Sequence, residues 1–161
     1  MKPFLFAVAL FALAGCSSTS PVRDTSGDIT PYDAIQLAAA AAPGGVPGTF
    51  DMRIQAAGSQ GGNTYLNTEH DYRDQRNLTL ALPPGITQEL EARLGADPKT
   101  ALLGKRLRVT GEARRITIWF FDGEGRPTGK YYYQTHVLVS GADQIEVVGW
   151  AGQVVAAVPP R

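Results

Sequence analysis

Apolar side chains fall at alternate positions through most of the chain after residue 49, the period of strands with one buried face. Phe50, Met52, Ile54 and Ala56 alternate with Asp51, Arg53 and Gln55, predicting a first strand from about Thr49. Residues 58–63 carry three glycines and predict a loop, followed by a short strand at Tyr65 and Leu66. A polar stretch over 67–76 then leads to Leu78, Leu80 and Leu82, which alternate up to Pro83 and Pro84, so these three segments predict a meander.

The period switches to helical where Ile86, Leu90 and Leu94 stand four apart, and Gly95 ends that stretch. Asp97 and Pro98 restart a helical turn that closes at Leu103 and Gly104. Leu107 and Val109 before Gly111, with Ile116, Ile118 and Phe120 after it, predict one long strand bent at the glycine. A turn over 122–129 joins it to a strand from Tyr131 to Val139, and residues 144–148 predict a last short strand. Ahead of the strands, Thr30 and Pro31 read as an N-cap and first helical position, with Asp33 placed to cap in return. That helix runs through Tyr32, Ile35, Leu37 and the Ala38–Ala42 run and stops at Pro43.

The first sixteen residues follow a different pattern: Lys2, an apolar run from Phe4 to Ala14, then small residues. Eleven apolar residues are too few for a permanent span, which needs about 20, so the segment reads as a removable signal peptide. Leu13, Ala14, Gly15 and Cys16 resemble the lipobox of bacterial lipoprotein signal peptides. The resemblance implies cleavage before Cys16 and lipid on that residue, where two or three acyl chains give a stable anchor. Ser17 after the cysteine implies an outer-membrane address facing the periplasm in a Gram-negative host. Residues 17–30, rich in Ser, Thr, Asp and Pro without apolar periodicity, read as a flexible tether.

The expected organisation is therefore a leader at 1–15, lipidated cysteine and tether at 16–30, a helix at 31–45, a β domain at 46–150 and a loose tail at 151–161. The fold class is mainly β. Three strands, a helix, then a long bent strand and its hairpin partner is the order of an OB-fold, a five-stranded Greek-key barrel with its helix between strands 3 and 4. Leu103-Gly104-Lys105-Arg106-Leu107-Arg108-Val109-Thr110-Gly111 resembles the start of the fourth OB strand. Tyr65-Leu66-Asn67, Asp71-Tyr72-Arg73 and Asn77-Leu78-Thr79-Leu80 are similar to the second and third strands of exported bacterial OB-fold proteins. Another small barrel and an open α+β sheet remain as alternatives.

Composition narrows the partners. Fifteen basic and fifteen acidic residues balance, and losing Lys2 with the leader leaves a net charge of −1, so no strong overall pull toward nucleic acid or anionic lipid is expected. Lipid on Cys16, the sole cysteine, leaves no thiol for disulfide or nucleophilic chemistry. His70 and His136 are then the only soft ligand types, and Glu69-His70-Asp71 reads as a solvated turn, so no metal or cofactor is expected. No Gly-x-Ser-x-Gly elbow and no phosphate loop occurs.

Two groupings stand out as ligand-binding candidates. Arg106 and Arg108 share one strand face in a basic stretch that includes Lys105, Arg114 and Arg115; the competing reading is a solvated outer face. Alternation places Tyr131, Tyr133 and Thr135 on one side of the last long strand and Tyr132, Gln134 and His136 on the other. Tyr131, Tyr133 and His136 are candidates there, joined by Tyr72, Arg73 and Arg76 from the polar stretch. The leading expectation is a membrane-anchored envelope lipoprotein acting as a non-enzymatic binding or scaffold module for an envelope protein or glycan. One alternative is an OB-type oligosaccharide or nucleic-acid binder, which requires the arginine and tyrosine pairs to share one exposed surface. The other is an envelope hydrolase acting on wall glycan or nucleic acid, which requires acids and a histidine to converge.

Overall fold

The computed structural model describes residues 27–149; the leader, Cys16, most of the tether and the 151–161 tail lie outside them. In chain order the elements are α1 (Pro31–Ala41), β1 (Gly45–Arg53), β2 (Ala56–Gln60), β3 (Asn63–Asn67), β4 (Leu78–Leu82), α2 (Pro84–Leu94), α3 (Pro98–Ala101), β5 (Arg106–Phe121), β6 (Pro127–Leu138) and β7 (Ile145–Val147). The protein is mainly β, with its strands in a single sheet of order β1-β5-β6-β4-β3-β2 and β7 added beside β5.

Seven strands stand where the sequence predicts six, five of them in the barrel order, and the local pattern differs in two places. The first predicted strand is broken at Ile54 and Gln55. The Ile54 amide turns to the Lys105 carbonyl at 2.9 Å, while the Gln55 amide turns to the Asn67 carbonyl at 2.8 Å. β1 therefore pairs with β5 and β2 with β3, so the two ends of the sheet order are consecutive in the chain, and that short covalent link joins them without a shared ladder. Residues 58–63, expected as a loop, are mostly strand. Gly61 and Gly62, both at positive φ, make a two-residue hairpin turn that β-carbons would strain.

β4 and β6 run parallel, with α2 and β5 in the connection between them. The helix therefore follows the strand expected to precede it. Leu78, Leu80 and Leu82 are all buried, as are Phe50 and Met52 of β1 and Leu107 and Val109 of β5, so the alternation read in the sequence does mark the core. α2 covers that core with Ile86 and Leu90, the four-apart pair, and stops at Gly95 in the left-handed conformation.

α1 starts as predicted: the Thr30 hydroxyl accepts the Asp33 amide at 3.2 Å and donates to the Asp33 carboxylate at 2.7 Å. Its buried stripe differs, because Ala34 and Ala38 face the sheet while Tyr32 and Leu37 are exposed. Small side chains let the helix axis approach the strands closely. The tether also ends earlier than expected. The Ile29 amide donates to the Thr49 carbonyl at 2.7 Å, and Asp28 forms a two-pronged ion pair with Arg108 at 2.6 and 2.8 Å.

β5 is one continuous strand of sixteen residues that changes partners along its length. One edge meets β1 from Arg106 to Arg114; the other meets β7 at 107–109 and β6 from Glu112 onward. Gly111 sits at the change, where a Cβ would run into the Leu138 carbonyl oxygen. Only glycine allows that close approach. From Arg115 to Phe121, β5 pairs with β6 alone among the described residues, so the two strands leave the sheet as a two-stranded arm. Among the described residues no helix is long and apolar enough to cross a membrane.

Candidate functional site

A cleft of about 560 Å³ lies across the outer face of β3, β4 and β6, with the β2–β3 hairpin on one side and the arm on the other. Register explains which side chains reach it. Asn67 opposes Thr79, and Thr79 opposes His136, so these three line up across adjacent strands on the face opposite Leu66, Leu80 and Val137. Tyr65 comes from the same face of β3, and Gln134 and Tyr132 continue it along β6.

The floor is polar, buried and internally bonded. The Asn77 side-chain amide donates toward Asn67 Oδ1 at 3.1 Å and Thr79 Oγ1 at 2.9 Å, while Thr79 donates to Asn67 Oδ1 at 2.9 Å. No buried side-chain polar atom among the described residues lacks a partner. Such a floor orients the groups above it and carries no stored charge.

His136 sits at the edge of this floor, with its ring centroid 5.9 Å from that of Tyr65. Gln134 uses its Nε2 to donate to Tyr132 Oη at 2.9 Å and to the Tyr72 carbonyl at 3.1 Å, so its Oε1 is left to accept from His136 Nε2 at 2.8 Å. That order selects the Nε2–H tautomer. Burial pushes the imidazole down to about 4, so the ring is neutral at pH 7 and a weak base.

The walls are aromatic. Phe120 and Tyr132 pack across the arm at 5.5 Å between ring centroids, and Ile118 extends that wall. Tyr72 closes the opposite corner under the guanidinium of Arg73, which lies 4.6 Å from its ring centroid. Among the described residues, Arg73 is the one charged side chain in the lining and no carboxylate lines the cleft. Among the described residues, no three His, Cys, Asp or Glu side chains converge on a point that could hold a metal ion.

Of the sequence candidates, Tyr72, Arg73 and His136 meet here. The rest go elsewhere. Arg76 turns back on Asp74 at 2.8 Å within its own loop. Arg106 forms a two-pronged pair with Asp51 at 2.7 and 2.8 Å, and Arg108 is held by Asp28 and by Glu146 at 3.3 Å. Acids distant in the chain thus claim both arginines. Tyr131 opposes Trp119 and Tyr133 opposes Thr117, on the arm face opposite Ile118, Phe120, Tyr132 and Gln134. By the same alternation Arg106 and Arg108 lie on the other side of β5 from Tyr131 and Tyr133, so the single surface required by the paired arginine–tyrosine reading does not form. Sequence reading had grouped Tyr132, Gln134 and His136 correctly by parity. It passed over Tyr65, Asn67 and Thr79, whose polar alternation opposite Leu66 and Leu80 was the available signal.

No protein-family model matches the chain, and no curated protein matches it. Among solved structures, an aspartyl tRNA synthetase from Entamoeba histolytica is similar at a TM-score of 0.41 and 14% identity, over 92% of this chain. The match spans 28% of that chain's length.

Proposed function

We propose that the protein is a cell-envelope lipoprotein, anchored through Cys16, that acts as a non-enzymatic binding module and holds its ligand in the outer-face cleft of an OB-like domain. The observation that carries this reading is the cleft's construction: ring-lined walls over a neutral polar floor whose hydrogen bonds are already made. Such a surface suits a ligand with flat apolar faces and polar edges. A hydrolase would need an acid and a base within hydrogen-bond reach, and among the described residues the lining offers a weakly basic histidine with no carboxylate beside it.

Within that reading an oligosaccharide fits better than nucleic acid. Arg73 is the single cation in the lining among the described residues, whereas nucleic-acid affinity rests on several phosphate contacts. Calorimetric titration with envelope oligosaccharides should give saturable binding, and Tyr132→Ala should weaken it about tenfold by removing one stacking ring. Affinity indifferent to Tyr132, or tight binding of single-stranded nucleic acid that collapses with salt, would count against the glycan. The anchor has its own check. Cys16→Ala should move the chain from the membrane fraction to the soluble fraction of its host, and retention in the membrane would refute lipidation.

A further inference from the structure

Arg73 is left open where its neighbour in the same loop is closed. Arg76 pairs with Asp74 at 2.8 Å, and on the sheet Arg106 and Arg108 hold Asp51 and Asp28. Arg73 lies over the Tyr72 ring at 4.6 Å and, among the described residues, forms no ion pair. Asp71, two places before it, has its Oδ1 on the Arg73 backbone amide at 2.9 Å and does not line the cleft. A guanidinium stacked by its face keeps its in-plane N–H donors for another group.

The loop that carries this cation is fixed against the cleft. The Tyr72 carbonyl accepts from Gln134 Nε2 at 3.1 Å and from Asn77 Nδ2 at 3.3 Å, so Arg73 is held beside β6 and little ordering is left for a ligand to impose. Tyr132 stands at the same corner. Its Oη accepts from Gln134 at 2.9 Å and keeps its own O–H to donate. Burial, with Tyr72 close by, holds that phenol above its ordinary value, and Arg73 is near enough to oppose the shift. The corner thus offers an aromatic face, a hydroxyl donor and a guanidinium edge, and among the described residues no acid in the lining competes for them.

On the glycan reading of the cleft, on which this inference rests, we propose that the ligand is an acidic glycan: Arg73 receives the carboxylate of one sugar unit while the ring of the adjoining unit lies on Tyr132. A carboxylate suits the site better than a phosphate monoester because one cation balances one charge, whereas the phosphate carries about −1.5 to −2 at pH 7. The two carboxylate oxygens also lie in one plane and match the guanidinium fork, which gives a bidentate, charge-assisted pair. The rest of the protein adds no general pull on anions. Fifteen basic and fifteen acidic residues balance over the whole chain, so a preference for an acidic ligand has to come from this contact.

The test titrates the full chain by calorimetry with a short oligomer of hexuronic acid and with the same oligomer after its carboxyls are reduced to primary alcohols. The acidic form should bind about tenfold more tightly, the effect of one charge-assisted pair at an exposed site. Arg73→Gln should bring the ratio of the two affinities to about one. Arg73→Lys should leave an intermediate ratio, because an ammonium keeps the charge and loses the fork. Tyr132→Ala should weaken both forms and leave their ratio in place, which separates the stacking wall from the charge contact. Equal binding of the two forms by the unaltered protein overturns the acidic preference while the glycan reading stands; failure of both forms to bind overturns the two together. A ratio that survives Arg73→Gln, in a variant shown to be folded by circular dichroism and thermal unfolding, places the recognition elsewhere and also overturns the proposal.

Discussion

Asn77→Ala should lower the unfolding free energy by roughly 3 kcal/mol, because several partly or fully buried groups lose partners at one stroke. Asn77 is 3% exposed and sits where the loop after β3 rejoins the sheet. Its Oδ1 accepts the Glu69 amide at 3.1 Å, and its amide group reaches Asn67, Thr79 and, at 3.3 Å, the Tyr72 carbonyl. Alanine leaves the Glu69 N–H and the Tyr72 carbonyl with one partner fewer each and opens space beneath the Asn67–Thr79 pair. The same bonds fix the loop that carries Tyr72 and Arg73, so ligand affinity should fall along with stability. Urea unfolding at pH 7 measures the first effect. A loss smaller than about 1 kcal/mol would mean that the floor does not organise the loop.

Acid should destabilise the protein well before its carboxylates titrate. His136 titrates at about 4 in the folded protein because burial disfavours its charged form, while in the unfolded chain it titrates near the ordinary 6.5. Between those values the unfolded state binds the extra proton. Stability is therefore fully present above about pH 6.5 and drains away as the pH falls toward 4, by about 3 kcal/mol in all. Asp74, held down to about 2 chiefly by its side-chain hydrogen bond with Arg76, acts in a separate window below about pH 4, as does Asp122, which is lowered by Arg126. Unfolding curves at a series of pH values should show the slope, and His136→Phe should flatten it between 6.5 and 4. A native-like slope retained in that variant would place its origin elsewhere.

The parts of the site that could be read in advance are those set by strand parity. Gln134 and His136 share a face with Tyr132 because side chains alternate along any strand, whatever the strand packs against. Parity leaves open which of the two faces borders a cleft, and there Tyr131 and Tyr133 were assigned with no knowledge of the neighbouring strands. β4 settles it. By pairing with β6 from Thr135 to Leu138 it puts Thr79 beside His136, while Tyr131 and Tyr133 lie beyond the part of β6 that β4 pairs with. The arginines went astray for a related reason: Arg106 and Arg108 form ion pairs with acids 55 and 80 residues away, beyond the reach of any local pattern.

The sequence by itself determined several of the elements. Alternating leucines made β4, the four-apart Ile86 and Leu90 made the buried stripe of α2, and Thr30 and Asp33 capped α1. These are local effects of period and capping, and each acts over a few residues. Tertiary structure alone decided the break at Ile54 and Gln55, the anchoring of Asp28 and Ile29 onto the sheet, the neutral hydrogen-bonded floor and the two-faced arm. Each of those depends on which strands become neighbours. That choice is made by burying one shared core, and no short stretch of the chain encodes it.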